Sequence, residues 1–337
     1  MKVKTKTRPH GRTQTEEKTF EGALKVARMY YHLDLTTSDI GKQLGIPRPT
    51  VSRLLSWARA HGLVEFRVLD HRQLQLRIET RLEQAFGVRD VKVVPAHPDT
   101  TDDERLDLVT GFAAHYLSSL LFPGMTLSIA WGTTVSMLAQ KLVPRPLAQA
   151  DVVQMNGSGN SGSGITYAAD IIDAFAHKLS ARAHLLPVPA YFDLPTTKDA
   201  MFQERSVRRV RELAARADVA LYSIGVPGAD SHIYRAGYVE HDDLAELQAQ
   251  GAVGDIATVF FRSDGSYLDL EMNRRSSGPS LSSLTAIGSS VCIVAGEKKA
   301  SAVSGALAGG FMNTLIIDEP TARSVLKTKE RDLHQRV

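Results

Sequence analysis

The stretch TTSDIGKQLGIPRPTVSRLLSWA, residues 36–58, decides the fold of the N-terminal part of the chain. A hydroxyl at Thr36 or Thr37 can accept the first amide hydrogens of a short helix that ends near Leu44. After a Gly-containing turn, Pro49 fits the first turn of another helix, because its missing amide hydrogen is not needed there. Two helices joined by a tight turn are the core of a helix-turn-helix unit.

The flanking residues extend this unit in both directions. Before it, residues 20–31 place apolar side chains on one face of a predicted helix: Phe20, Leu24, Ala27 and Tyr31. After it, Gly62 and the alternating Val64, Phe66 and Val68 predict one strand of a wing. The sequence therefore predicts a winged helix-turn-helix domain over residues 19–72, preceded by a basic flexible tail, residues 1–18. The alternative is a three-helix packing unit with an incidentally basic surface.

Charge favours the DNA-binding interpretation of this domain. Residues 1–72 carry a net charge of +7, whereas residues 73–337 carry a net charge of −4. Such an asymmetry predicts a polyanionic partner, although a solvated basic tail would also produce it. Arginines can grip guanine edges or phosphates, and hydroxyls can reach either. The candidate DNA-binding residues on the outer faces of the two helices are Thr37, Arg48, Thr50, Ser52 and Arg53.

The remainder of the chain alternates between strand-like and helical segments. Residues 73–90 predict a linking helix that stops at Gly87, and Thr101 with Glu104 predicts a capping box for another helix. Short apolar runs predict strands at residues 91–94, 126–130, 152–155, 219–224, 256–261, 291–295 and 315–317. Alternation of this kind is typical of parallel strands with crossover helices. We therefore predict a three-layer α/β, Rossmann-like domain over residues 91–330.

Ligands of such domains bind beyond the carboxyl ends of the strands, and three junctions there have suitable residues. They are Gly132-Thr133-Thr134, the glycine-rich residues 156–164, and Lys299 after a buried strand. Each has a simpler interpretation: the threonines can cap a helix, and a lone lysine is usually solvated. The glycine loop matches part of a dinucleotide fingerprint, but Arg182 stands where the acidic ribose partner belongs. A nicotinamide cofactor is therefore disfavoured, and we predict no cofactor.

Several segments resemble the SorC family of bacterial sugar-responsive transcriptional regulators. In the N-terminal domain the similar segments are residues 27–31, 40–46 and 49–55. In the long domain they are residues 131–134, 187–191, 217–225, 251–256 and 318–322. The resemblance covers residues 19–326, and it implies an effector and oligomerisation domain that is similar in fold to sugar-phosphate isomerases.

The resemblance also implies which residues line the effector pocket. Its motifs fall on Thr133, Thr134, Gly157, Ser158, Gly159, Asn160, Asp255 and Lys299. Two positions depart from the family pattern. Pro47 replaces a serine that would cap the second helix, and Asp170 replaces an asparagine after the glycine loop. We add Asp170 to the candidate effector residues, because its carboxylate would repel a nearby phosphate and would favour a less anionic ligand.

These observations predict a repressor of a carbohydrate operon that binds operator DNA and a sugar or sugar phosphate, as a homodimer or tetramer. The alternative is a sugar-phosphate isomerase or deaminase with a DNA-binding domain, in which Asp255 acts as a general base. No nucleophile elbow or metal-ligand spacing supports catalysis, so we predict neither catalytic residues nor a metal. A single Cys292, no signal peptide and no apolar run of about 18 residues predict a cytoplasmic protein that does not bind membranes.

Overall fold

The computed structural model describes residues 14–31, 33, 35–64, 71–97, 99–158, 168–228, 231–235 and 237–335. The chain divides into two compact units, Met1–Asp70 and His71–Val337.

The described part of the first unit contains helices α1, Gln14–Tyr31, α2, Thr37–Leu44, and α3, Arg48–Ala60. The backbone amide of Asp39 donates to Thr36 Oγ1 at 3.2 Å, so Thr36 caps α2. Gly45 ends α2 with φ 65°, a conformation that glycine adopts without strain. The predicted pair of helices is confirmed. Their apolar faces and that of α1 form a small core around Val26, Ile40, Val51 and Leu55.

Two details of this unit differ from the sequence prediction. Helix α1 begins at Gln14 rather than at Phe20, so residues 14–18, predicted as part of a flexible tail, are helical. The first residues of α1 are polar and give no apolar periodicity. The apolar pattern therefore begins after the helix itself, and it predicts a helix start that is too late. Residues 62–64 form a turn, and residues 65–70 of the predicted wing lie outside the described residues, as do residues 1–13 of the tail.

The second unit is built on a seven-stranded sheet in which all paired strands are parallel, with a three-stranded antiparallel sheet beside it. The strands are β1 Asp90–Val94, β2 Thr126–Ile129, β3 Asp151–Gln154, β4 Arg182–His184, β5 Val219–Tyr222, β6 Ile224–Gly225, β7 Ala252–Ile256, β8 Val259–Arg262, β9 Ser289–Val294 and β10 Thr314–Asp318. The large sheet has the order β1-β10-β9-β5-β2-β3-β4, and the small sheet has the order β6-β7-β8. Strand order reverses between β2 and β5, which makes that point the topological switch of the large sheet.

Helices cover both faces of the large sheet, and further helices pack against the small sheet. They are α4 His71–Phe86, α5 Asp102–Leu120, α6 Thr133–Lys141, α7 Ala168–Leu179, α8 Pro195–Gln203, α9 Arg205–Ala215, α10 His232–Arg235, α11 His241–Ala249, α12 Glu271–Arg275, α13 Ala300–Ala308 and α14 Glu319–Gln335. Leu315 and Ile317 pack in a core with α4, α13 and α14, whereas Ile316 packs in a second core with α5, α6 and α7. Neighbouring residues of a strand point to opposite faces, so the sheet is the middle of three layers. The predicted α/β fold class is confirmed.

Two predicted strands need correction, and one strand was not predicted. Residues 256–261 were predicted as one strand, but Ala257 and Thr258 form a two-residue turn between β7 and β8. Residues 219–224 form two strands, since the chain leaves the large sheet after Tyr222 and β6 enters the small one. Edge strand β4 was not predicted, because Arg182 and His184 give it no apolar pattern.

The predicted linking helix, residues 73–90, appears as α4, and Gly87 ends it with φ 71°. Helix α4 lies along β1, the edge strand of the large sheet. The backbone amide of Val93 donates to Glu79 Oε1 at 2.7 Å, and that of Val91 donates to Glu83 Oε1 at 3.2 Å. We call these two carboxylates the edge clamp. The clamp and an Arg81–Glu330 ion pair to α14 fix α4 to the His71–Val337 unit.

Candidate functional site

The five candidate DNA-binding residues lie close together on the outer side of α2 and α3. Arg48 Nε donates to Thr37 Oγ1 at 3.2 Å, and Arg53 Nη2 donates to Thr50 Oγ1 at 3.3 Å. Ser52 Oγ donates to the backbone carbonyl of Arg48 at 3.3 Å. Both arginines are exposed, and the opposite side of α3 is buried in the core. Arg48, Ser52 and Arg53 are thus exposed on α3, and the half-buried hydroxyls of Thr37 and Thr50 accept hydrogen bonds from the two guanidinium groups.

The start of α3 agrees with the expectation drawn from Pro47. Pro47 occupies the N-cap position with ψ 143°, and no side chain caps the helix there. Pro49 lies in the first turn, where its fixed φ suits a helix and no amide hydrogen is required. The first-turn amides of α3 are thus not covered by a capping side chain, which suits a helix end that approaches phosphate.

The second candidate site is a cavity of about 450 Å³ in the His71–Val337 unit. It lies at the carboxyl ends of β2 and β5, which is the switch point of the sheet and the expected ligand position in this architecture. Its walls come from the loop into α6, the end of β3, the segment after β5, the β7–β8 turn and the loop before α13. The lining residues are 130–134, Asn156, 223–228, Ser231, Ile233, Asp255, Ala257, Thr258, Lys298 and Lys299.

Five of the ten predicted effector residues line this cavity: Gly132, Thr133, Thr134, Asp255 and Lys299. Helix α6 begins at Thr133, with Gly132 at the N-cap position and φ 150°. No side-chain hydrogen bond caps this helix, so neither threonine is used as its cap. The first backbone amides of α6 lie at the end of the helix that borders the cavity, and no side chain caps them.

The other predicted effector residues are placed differently. Gly157 and Ser158 do not line the cavity that the described residues form. Gly157 is buried, and a Cβ atom there would lie 2.4 Å from the carbonyl oxygens of Val188 and Pro189, so its role in this structure is close packing. Asp170 lies exposed in the first turn of α7 and is also absent from the lining. Gly159 and Asn160 lie outside the described residues.

Asp255 is the carboxylate of the cavity and is only 8% exposed. Burial raises the pKa of Asp255 to about 6, against the opposing effects of a backbone hydrogen bond from Thr258 and the charge of Lys299. Gly225 packs directly against the carboxylate, because a Cβ atom at Gly225 would lie within 2.1 Å of Asp255 Oδ1. A buried carboxyl group with a pKa near neutrality can change its charge when a ligand binds.

Lys299 is a half-buried residue that supplies an ammonium group to the same cavity. Burial lowers the pKa of Lys299, and nearby Cys292 and the carboxylates of Asp255, Asp102 and Asp318 oppose this effect. Cys292 itself is fully buried in β9, where burial raises the pKa of its thiol above the usual range. A cation held in a partly desolvated wall gains more from an anionic ligand than one in open solvent.

The loop that carries Lys299 is attached to neighbouring elements by several hydrogen bonds. The backbone amides of Gly296 and Thr321 each donate to the carboxylate of Asp318 at 3.0 Å. Glu297 accepts a hydrogen bond from Arg105 of α5 at 3.0 Å. These contacts join the cavity loop to β10, to the start of α14 and to α5. The position of Lys299 is therefore coupled to α14, which in turn pairs with α4.

The β7–β8 turn brings strained backbone to the cavity wall. Ala257 and Thr258 have φ values of 48° and 70°, which side chains other than glycine rarely adopt. Tyr191 Oη donates to the carbonyl of Thr258 at 2.7 Å, and the hydroxyls of Thr258 and Ser276 lie 3.1 Å apart. Backbone strain of this kind persists where surrounding contacts hold it, and it is common at binding sites.

Five polar lining residues were not among the predicted effector residues: Asn156, Ser223, Ser231, Thr258 and Lys298. Asn156 opens the glycine-rich junction and lies two residues after β3, and Ser223 lies one residue after β5, so the rule that ligands bind at strand ends could have assigned both to the effector. Thr258 gave no such signal, since the hairpin itself was not predicted. Among the described residues there is no group of three His, Cys, Asp or Glu side chains that could hold a metal ion.

Comparison with known proteins identifies the family. The Sugar-bind family of sugar-binding domains matches residues 70–327. The deoxyribonucleoside regulator of Bacillus subtilis is 32% identical over 308 residues, covering 90% of this chain and 96% of that protein. The crystal structure of the full-length sorbitol operon regulator SorC from Klebsiella pneumoniae aligns with a TM-score of 0.68 and 28% identity, over 91% of this chain and 98% of that one.

The chain belongs to the SorC family of sugar-binding transcriptional regulators. In a comparison of sequences, the sorbitol operon regulator of Klebsiella pneumoniae is 30% identical over 316 residues, which are 90% of this chain and 97% of that regulator. Membership in the SorC family favours a regulator over an enzyme. No helix in the described ranges of this SorC-family chain has the length and apolarity needed to cross a membrane.

Proposed function

We propose that the chain represses a carbohydrate operon by binding operator DNA through α3, and that a sugar phosphate bound in the cavity releases the DNA. The observation that carries the proposal is the cavity itself, which gathers Thr133, Thr134, Asp255 and Lys299 at the switch point of the sheet. The exposed Arg48, Ser52 and Arg53 of α3, with the half-buried Thr50 beside them, support the DNA-binding part. The names of the SorC-family relatives support control of a sugar operon.

The charges of the cavity support a phosphorylated ligand over a neutral one. The N-terminus of α6 has no capping side chain, and its first amides can donate to a phosphate. Lys298 and Lys299 add two ammonium groups to the same cavity. Asp170, which favoured a less anionic ligand in the sequence analysis, is an exposed residue outside the lining. The carboxylate of Asp255 can accept hydrogen bonds from the hydroxyl groups of a sugar.

A thermal-shift screen tests this ligand class. The probes are ribose 5-phosphate, 2-deoxyribose 5-phosphate, sorbitol 6-phosphate, the three unphosphorylated parents and inorganic phosphate. A ligand at 100 times its Kd stabilises the native state by about 2.7 kcal/mol, so a binding probe should raise Tm by about 5 °C. We expect at least one sugar phosphate to stabilise the protein more than its parent and more than phosphate. Equal shifts for each pair would contradict a phosphate subsite.

The transmission of the ligand signal is proposed to run through α4. The cavity loop is bonded to Asp318 at the start of α14, and Glu330 of α14 pairs with Arg81 of α4. Helix α4 is the first element of the His71–Val337 unit, so it follows the Met1–Asp70 unit directly in the chain. We propose that the chain forms a homodimer or tetramer, because symmetric operators are bound by symmetric oligomers. We also propose a cytoplasmic location, because operator DNA lies there. Light scattering of the purified chain measures the subunit number.

Arg53→Ala is expected to weaken operator binding by more than about tenfold, because one base or phosphate contact is worth about 1–3 kcal/mol. The operator is first selected from a random DNA pool with the wild-type protein, and affinity is then measured by fluorescence anisotropy at fixed salt. Arg59→Ala, at the far end of the same helix, is the matched control and should change affinity less than about threefold. Unchanged affinity for Arg53→Ala would show that α3 does not read the DNA.

An enzyme remains the second candidate function, and one observation favours it. Asp255 is a buried carboxyl group in a cavity with a pKa of about 6, which is the environment of many general bases. We propose nevertheless that the cavity binds without catalysing a reaction, in keeping with the SorC-family relatives. Incubation of each sugar phosphate with the protein, followed by NMR of the mixture, tests this. Turnover faster than about 1 per second would make the chain an enzyme.

A further inference from the structure

Two polar side chains in the cavity wall lack a hydrogen-bond partner among the described residues. They are Asn156, through Oδ1, and Ser223, through Oγ. Both atoms are buried, and Asn156 is only 1% exposed as a residue. Both residues line the cavity. Folded proteins pair nearly all such atoms, so two unpaired atoms in one cavity wall call for an explanation.

The position of the two residues indicates that a ligand pairs them. Strands β5, β2 and β3 lie side by side in the sheet, with β2 in the middle. Ser223 follows β5, and Asn156 follows β3. With about 4.8 Å between strands, the two chain positions lie about 10 Å apart, on either side of the loop from β2 into α6. A five- or six-carbon sugar chain can reach polar groups that lie this far apart.

The chemistry of the two atoms defines what they can bind. The oxygen of an asparagine amide only accepts hydrogen bonds, so its partner must be a hydroxyl or another donor and not a phosphate oxygen. A serine hydroxyl can donate or accept. We infer that Asn156 and Ser223 form a specificity subsite that binds hydroxyl groups of the sugar part of the effector. This subsite is separate from the phosphate-binding wall at Lys299 and α6. This inference rests on the proposed sugar phosphate function and assigns it a specificity subsite.

Ser223→Ala and Asn156→Ala give a signature that a structural role would not give. An unpaired buried oxygen destabilises the empty protein, so its removal should leave the Tm of the free Ser223→Ala protein unchanged or higher. The same change should weaken the tightest sugar phosphate of the screen about tenfold or more, because the ligand hydroxyl then loses its partner. Inorganic phosphate should bind each variant as it binds the wild type. Calorimetric titration measures these affinities.

Ser128 provides the matched control. Its Oγ is also buried without a partner among the described residues, but Ser128 lies inside β2 and does not line the cavity. Ser128→Ala should therefore leave Tm unchanged or higher, as Ser223→Ala does, and should leave the affinity for the sugar phosphate unchanged.

The possible outcomes separate this inference from the proposed function. A lower Tm for both free variants would mean that the two atoms have partners within the protein, and it would overturn the inference without any ligand. Sugar phosphate binding that both variants retain at full strength would overturn the inference alone. Failure of every probe to bind the wild type would overturn the proposed function and the inference with it.

Discussion

Asp318→Ala is expected to lower the free energy of unfolding of the His71–Val337 unit by about 4 kcal/mol. Asp318 is fully buried, and its carboxylate accepts the backbone amides of Gly296 and Thr321. Removing it leaves two buried amides without a partner, and each such loss costs about 1–3 kcal/mol. Urea denaturation of the full chain, followed by Trp131 fluorescence in a Trp57→Phe background, reports on this unit alone.

Two further variants make this result specific. Asp318→Asn keeps one carbonyl oxygen as an acceptor and should lose about half as much stability. Asp269→Ala removes an exposed carboxylate that pairs with Arg262 at 2.7 Å, and such exposed pairs are worth less than about 1 kcal/mol. A loss for Asp318→Ala that is no larger than the loss for Asp269→Ala would show that the two amides find other partners.

As the pH rises from 4 to 7, the free energy of unfolding of the wild type is expected to fall relative to that of Asp255→Asn. The pKa of Asp255 is about 6 in the folded chain, against about 3.9 in an unfolded chain. The folded carboxyl therefore holds its proton more tightly, so this contribution to stability is complete below pH 4 and disappears as the pH passes through 6. The difference in unfolding free energy should change by about 3 kcal/mol across this range.

Asp264→Asn, measured in the same denaturation series, is a control of opposite direction. The backbone amide of Ser266 donates to Asp264 at 2.9 Å and lowers the pKa of that exposed carboxyl. The contribution of Asp264 to stability is therefore present at neutral pH and is lost as the pH falls. A stability difference for Asp255→Asn that does not depend on pH, or that grows with pH, would contradict burial as the main influence on Asp255.

The sequence predicted those features that depend on neighbouring residues. Thr36 and Gly45 begin and end α2 through contacts within one or two turns, and the Thr101–Glu104 capping box begins α5 in the same way. Gly132, Thr133 and Thr134 were found because a strand end and a helix start are both visible in local sequence. The parallel strands were found because runs of apolar residues are typical of strands buried on both faces.

What the sequence could not predict depends on distant contacts. The Ala257–Thr258 turn contains no glycine, and it keeps its left-handed backbone because Tyr191 and Ser276 hold it from elsewhere in the chain. Gly157 was predicted to face the effector, but the carbonyls of a distant loop surround its Cα. The unpaired state of Asn156 and Ser223 has no sequence signal at all, since it reflects which neighbours are missing from three-dimensional space.

The edge clamp also bears on how the protein avoids aggregation. An edge strand with free backbone amides is a template on which a strand from another molecule can add. Glu79 and Glu83 occupy the amides of Val91 and Val93, and they bring negative charge to the same edge. An intruding strand would have to displace two hydrogen-bonded carboxylates before it could pair with β1. Helix α4, the first element of the His71–Val337 unit, thus also protects the sheet from intermolecular strand addition.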